Sequence, residues 1–184
     1  IICSPNNPTG YLYSREEMEE LKKICLKHNL YLFSDEAYRE FCYDGDYVSA
    51  MHLGGLEQHV VLMDTISKRY SACGARIGAL VTKNKTVYDA AMKFAQARLS
   101  PPGLAQIMGE AAIDLPDSYF DGPKAEYLSR RNLLVKRLND MPGVFCPNPG
   151  GAFYAIARLP IDDADKFCQW LLEEFSYNNQ TVML

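Results

Sequence analysis

No C-x-x-C pair occurs in this sequence. Its six cysteines, Cys3, Cys25, Cys42, Cys73, Cys146 and Cys168, are scattered, and its three histidines sit at no metal-ligand spacing from them. A zinc site is therefore excluded as a working idea. Several of the cysteines lie inside apolar runs, where a free thiol packs as a small core residue. A reducing, cytoplasmic setting fits that usage. There is no basic block, and the formal net charge is -4. Nucleic-acid binding, which needs clustered Lys and Arg, has no support. Long hydrophobic runs are absent too: Val60-Val61-Leu62-Met63 is far too short to cross a bilayer. No secretory signal opens the sequence.

The first residue is not Met. The sequence opens in the apolar run Ile1-Ile2-Cys3 and stops at Thr181-Val182-Met183-Leu184, which reads as the start of a strand. Domain ends are usually polar and exposed, so these 184 residues are expected to be an internal piece of a longer protein. The composition, 48% hydrophobic and 23% charged, is that of a globular domain, or of one domain plus part of another.

The hydrophobic spacing predicts an alternation of strands and helices. Ile1 to Cys3 reads as a buried strand, stopped by Ser4-Pro5-Asn6-Asn7-Pro8-Thr9-Gly10. Ser14-Arg15-Glu16-Glu17 is a capping-box pattern, and Met18, Leu21 and Cys25 repeat at helical spacing to about His28. Leu30–Phe33, Val60–Asp64 and Ile77–Val81 read as further strands. Helices are expected after Asn84, over Leu104–Leu115, over Ala125–Asn139 and over Asp163–Phe175. A strand is expected over Ala152–Ala157. Strand, helix and strand joined by tight loops imply an α/β fold with a largely parallel sheet.

Four segments at strand ends carry chemistry, and strand ends are where an open α/β sheet forms its ligand crevice. Asn6-Asn7-Pro8-Thr9-Gly10 reads first as a turn, in which an Asn amide can donate to a ligand oxygen. Ser34-Asp35-Glu36-Ala37-Tyr38 sets a carboxylate three residues before a phenol. Such a carboxylate is commonly a cap, yet beside a pyridine nitrogen it keeps the ring protonated and electron-accepting. Asp64-Thr65-Ile66-Ser67-Lys68 runs into Gly74-Ala75-Arg76-Ile77-Gly78. A lysine after a buried strand is usually a snorkelling side chain, but in a polar pocket it can form a Schiff base with an aldehyde. Thr65, Ser67 and Arg76 bring the hydroxyls and guanidinium that grip a phosphate. Asn148-Pro149-Gly150-Gly151-Ala152-Phe153-Tyr154 reads as a glycine turn leading into a strand.

Taken in order, these motifs resemble the class I/II aminotransferases of pyridoxal-phosphate-dependent fold type I, over essentially the whole chain. Lys68 with Arg76 eight positions later is the most specific part of the match. The resemblance implies the C-terminal part of the large, mostly parallel-sheet domain (1–125), then an interdomain helix and the start of the small α+β domain (126–184). It implies pyridoxal 5'-phosphate as cofactor and an amino acid and a 2-oxo acid as substrates. A homodimer is implied, with Ser100-Pro101-Pro102 near its interface. Lys68 would bind the cofactor aldehyde and move the substrate proton. Asp35 would pair with the pyridinium nitrogen, Tyr38 and Asn7 would bond the phenolic oxygen, and Thr65, Ser67 and Arg76 would hold the phosphate. Ser67 to Gly78 looks like bacterial aspartate aminotransferases, which makes aspartate the expected amino donor.

Two family features have no counterpart here: the glycine-containing loop and stacking aromatic that precede the first segment, and the C-terminal arginine that binds the substrate carboxylate. Arg158 follows the Phe153-Tyr154 segment and reads as a surface residue. Weak cofactor binding and little activity are therefore expected of these residues alone. Two alternatives stand beside transamination. Carbon–sulfur lyases of the same fold use the same lysine, aspartate and tyrosine, and differ in their products. A non-catalytic regulator with an aminotransferase-like domain would carry a basic DNA-binding module, for which nothing here speaks.

Overall fold

The computed structural model describes residues 1–184. Four strands, β1 (Ile2–Cys3), β2 (Leu32–Asp35), β3 (Val60–Thr65) and β4 (Gly78–Val81), form one sheet in the order β1-β2-β3-β4. β1, β2 and β3 are parallel, and β4 returns antiparallel to β3. The expected mostly parallel sheet is thus present, with one antiparallel edge. The helices are α1 (Arg15–His28), α2 (Ile66–Arg69), α3 (Lys85–Arg98), α4 (Gly103–Ile113), α5 (Asp121–Asn139) and α6 (Ala164–Glu173).

Helix α1 starts where the capping box says it must. The Ser14 hydroxyl accepts the Glu17 N–H at 3.2 Å, and the Glu17 carboxylate accepts the Ser14 N–H at 2.8 Å. Asn29, in the left-handed region, closes it. Its Met18 and Cys25 are buried with Ile2, Leu32, Val60 and Leu62 from the sheet and with Val48, Ala50, Leu53 and Leu56 from the β2–β3 connection. This is the main core. It explains the strand pattern: Leu32 and Ser34 face inward while Phe33 stays on the other, more open face.

No residue between 63 and 145 is buried. Helices α3, α4 and α5 form at the expected places, yet their apolar residues lie on open faces: Phe94 is 77% exposed and Leu104 85%. Among the residues aligned along α5, Leu128, Arg131, Val135 and Leu138 are half-buried and Leu134 is exposed. In α6 only Leu171 is buried, with Trp170 packed between Phe167 and Phe175. All six cysteines are free, and burial pushes the Cys42 thiol up to about 12. No helix is long and apolar enough to cross a membrane.

Two expected strands do not form. The Ala152–Ala157 segment holds only single bridges at its ends, Gly151 to Cys42 and Arg158 to Phe145. Ala152 adopts a left-handed backbone with φ 56°, which breaks the extended alternation a strand requires. The terminal Thr181–Leu184 segment joins no strand and is exposed, with the Thr181 hydroxyl donating to the Leu171 carbonyl.

Candidate active site

The parallel strands bring their carboxyl ends to one edge. Ser4 N–H donates to the Asp35 carbonyl (3.0 Å) and Glu36 N–H to the Met63 carbonyl (2.9 Å), so the loops after β1, β2 and β3 leave the sheet side by side. The site is built from these loops.

Asp35 ends β2. One of its carboxylate oxygens accepts the Ala37 N–H at 3.1 Å, a local turn that leaves the other oxygen free for a partner. One turn on, Tyr38 is buried among Ala37, Phe41 and Ala152. Its phenol lies 2.7 Å from the Tyr154 phenol. Burial, then the Tyr154 contact, push its ionisation well above the ordinary tyrosine value, while the Asn7 side chain pulls the other way. Asn7 lies in the loop after β1, at the same edge of the sheet.

Thr65 ends β3 and caps α2. Its hydroxyl donates to the Ile77 carbonyl (2.9 Å), accepts the Ser67 N–H (3.1 Å) and lies 2.8 Å from the Ser67 hydroxyl. The pairing of Thr65 with Gly78 needs that glycine, because a Cβ there would come within 2.9 Å of the Asp64 carbonyl. Lys68 is half-buried on α2, with its ammonium 5.9 Å from the centre of the Tyr38 ring, the outer limit of a cation–π contact. Its neighbour Arg69 takes the nearby carboxylate instead, gripping both oxygens of Asp64 at 2.6 and 2.5 Å. Arg39, next to Tyr38, reaches the same Asp64 at 3.3 Å. One carboxylate thus ties down the residues adjoining both Lys68 and Tyr38.

Asn7, Asp35, Tyr38, Lys68, Thr65 and Ser67 therefore gather at one edge. Arg76 is the exception. It sits in a left-handed conformation (φ 56°) after the turn Cys73–Ala75, is exposed, and donates to the Cys73 carbonyl at 3.1 Å. Its guanidinium touches neither Thr65 nor Ser67. A groove of about 900 Å³ lies elsewhere: Tyr11, Arg15, Asp44, Asp46 and Asn148 line it, and Asp35, Tyr38 and Lys68 do not. The chemistry decides the site here, because that groove holds no juxtaposed acid, base and amine.

The glycine turn before Phe153 has a role that the sequence reading missed. Gly151 N–H donates to the Gly10 carbonyl (2.9 Å) and Ala152 N–H to the Phe41 carbonyl (2.8 Å), so the first and fourth motifs interlock. A Cβ on Gly151 would lie 2.6 Å from the Pro5 ring and 2.8 Å from the Phe41 carbonyl oxygen. Gly151→Ala should cost about 2–3 kcal/mol, since backbone on both sides must shift. Denaturant melts would check this, and an unchanged midpoint would refute the close packing. Docked this way, Phe153 and Tyr154 meet the Tyr38 ring edge-on at 5.2 and 5.4 Å. Only the need for two adjacent glycines hinted at such an approach.

The model of the family described as aminotransferase class I and II matches residues 1–182. The aspartate aminotransferase of Bacillus subtilis is 31% identical over 183 residues, covering 95% of this chain and 47% of that protein. That of Thermotoga maritima is 33% identical, covering 95% and 45%. Among solved structures, an alanine aminotransferase from Pyrococcus furiosus superposes with a TM-score of 0.85 at 30% identity, covering 93% of this chain and 45% of that one. The aspartate aminotransferase structure from Thermotoga maritima gives 0.83 at 33% identity, covering 94% and 44%. The chain spans less than half the length of these relatives. Its fold is fold type I, and the chain belongs to the aminotransferase class I and II family.

Proposed function

We propose that this chain is the cofactor-anchoring part of a pyridoxal 5'-phosphate-dependent aminotransferase that moves an amino group from an amino acid, aspartate first among them, to a 2-oxo acid. The observation that carries the reading is the meeting of Asp35, Tyr38 and Lys68 at the carboxyl edge of parallel strands, beside the Thr65–Ser67 hydroxyl pair. The donor set fits the cofactor. Asp35 has a free oxygen for a pyridine nitrogen, Tyr38 with Asn7 offers hydrogen bonds to a ring oxygen, and Lys68 offers an amine to an aldehyde. Thr65 and Ser67 offer hydroxyls to a phosphate, and Arg76 joins them once it leaves the Cys73 carbonyl. The aspartate aminotransferases among the relatives support the choice of substrate.

When bound, the cofactor supplies an electron sink for the charge left on the substrate carbon. Lys68 Nζ would hold the cofactor's aldehyde, and its freed amine would move the proton between the substrate carbon and the cofactor. Such acid–base help is worth roughly 10²–10⁴-fold in rate. Asp35 keeps the pyridine nitrogen protonated throughout. Division at about residue 125 into large- and small-domain parts, a homodimeric working form and a cytoplasmic location belong to the same reading. Because the chain spans less than half of its relatives, its 184 residues alone should bind the cofactor weakly and turn over slowly.

The test is Asp35→Ala in the intact protein with aspartate, 2-oxoglutarate and added cofactor. Glutamate formation should fall at least about 100-fold, with a much smaller loss of cofactor affinity. Unchanged turnover would remove Asp35 from its role. Faster product release from a cystathionine-like substrate than from aspartate would overturn transamination.

A further inference from the structure

Tyr38 cannot by itself choose what it offers a ligand. A phenol has one proton and can accept as well as donate. If Tyr38 donates to Tyr154, only its lone pairs face outward. If Tyr154 donates to Tyr38, the Tyr38 proton is free for a ligand oxygen. The 2.7 Å contact makes the two orientations exclusive.

The position of Tyr154 is not incidental. It comes from a segment 116 residues away in sequence, pinned just before Tyr154 by backbone hydrogen bonds from Gly151 to Gly10 and from Ala152 to Phe41. Its ring is held at 5.4 Å edge-on to Tyr38 and 5.0 Å from Phe153. The Lys68 ammonium also stands near Tyr38, 5.9 Å from its ring centre. A cation there favours an oxyanion nearby, and an oxyanion demands a donor.

We propose that Tyr154 is a positioning residue: its hydroxyl donates to Tyr38, which turns the Tyr38 proton toward the ring oxygen of the bound ligand. The two phenols form a short relay in which each hydrogen bond polarises the next, and no proton changes owner. The identity of the ligand rests on the cofactor reading above; the phenol pairing does not.

Two measurements separate these. In the ligand-free chain, the ring ζ-carbon resonance of labelled Tyr38 should shift on Tyr154→Phe. An unmoved resonance would overturn the pairing, whatever the ligand. The binding arm uses the intact protein with deoxypyridoxine phosphate, which keeps the ring hydroxyl and phosphate but cannot bond covalently to Lys68, and its counterpart without the ring hydroxyl. Wild type should prefer the hydroxyl-bearing compound, and Tyr154→Phe should cut that preference about three- to tenfold. Affinity for the other compound should stay unchanged. Tyr38→Phe with Tyr154→Phe should lose no more preference than Tyr38→Phe alone. Equal losses for both compounds would mean that Tyr154 merely supports the fold, and would overturn the relay. Failure of both compounds to bind wild type, with the resonance shift present, would reject the cofactor reading and the ligand half of the relay, leaving the phenol pair as a structural contact.

Discussion

Lys68→Ala should leave the chain folded and chemically silent. Lys68 is half-buried and has no ion-pair partner, so its removal opens no cavity and strands no charge. Stability should change by no more than about 0.5 kcal/mol. The effect on chemistry should be of another order. With added pyridoxal phosphate, the wild-type chain should develop the visible absorbance of a lysine-bound aldehyde, and borohydride should fix the cofactor to the peptide that contains Lys68. The variant should do neither. In the intact protein its transamination should fall by at least about 10²–10⁴, because in the proposed reading one amine serves as both anchor and proton carrier. A labelled peptide around Lys83 or Lys124 instead would refute the assignment. Persistent absorbance in Lys68→Ala would do so equally.

Arg69→Met offers the contrast, since the same short helix carries both side chains. Arg69 is 9% exposed and holds Asp64 through two hydrogen bonds. Its loss leaves a carboxylate paired only with the more distant Arg39. Adjacent residues of α2 thus differ: Arg69 ties the helix to Asp64, and Lys68 keeps its ammonium out of any ion pair.

Local rules reached most of the elements. Ser14 and Glu17 fix the start of α1 whatever surrounds it, and Thr65 caps α2 with its own side chain. The apolar runs located both strands, but β2 spans Leu32–Asp35 where Leu30–Phe33 was expected, and β3 runs one residue past Asp64 to Thr65, since the ladders with neighbouring strands set where they end. Ala152–Ala157 failed because its backbone is decided by a long-range fit: Gly151 must pass the Pro5 ring, and that contact is invisible to any window of neighbouring residues. Tyr154 was hidden for the same reason. Arg76 shows the opposite limit. Its spacing from Lys68 marked it as a phosphate ligand, yet spacing says nothing of the rotamer, and the guanidinium rests on Cys73. Glu36 was passed over between Asp35 and Tyr38, although it is the more enclosed of the two carboxylates.

Glu36→Ala should be the most destabilising single change in this part of the sheet edge. Its carboxylate is 1% exposed and accepts from the Ser34 hydroxyl (3.0 Å), the Ser49 hydroxyl (2.9 Å) and the Ala50 N–H (2.9 Å). The two hydroxyls can turn toward other acceptors, but the Ala50 N–H cannot. Losing three hydrogen bonds to a charged group, with one buried donor stranded, should cost about 3–5 kcal/mol in denaturant melts. It should also loosen Asp35, because Glu36 is what ties the end of β2 to the Ser49–Ala50 turn. Glu36→Gln keeps the volume and tests the charge separately. Burial raises the Glu36 carboxyl above its ordinary value of 4.5, outweighing the three donors and Arg39, which lower it. The folded state therefore holds this proton more tightly than the unfolded state. The stabilisation linked to it is complete below 4.5 and is lost as pH rises through the raised folded value. Wild-type stability should carry this downward contribution above pH 4.5, and Glu36→Gln should lack it. Parallel stability curves for the two proteins across that window would show that the carboxylate bears no net burial cost, and that three donors suffice to hold a charge at the base of the site.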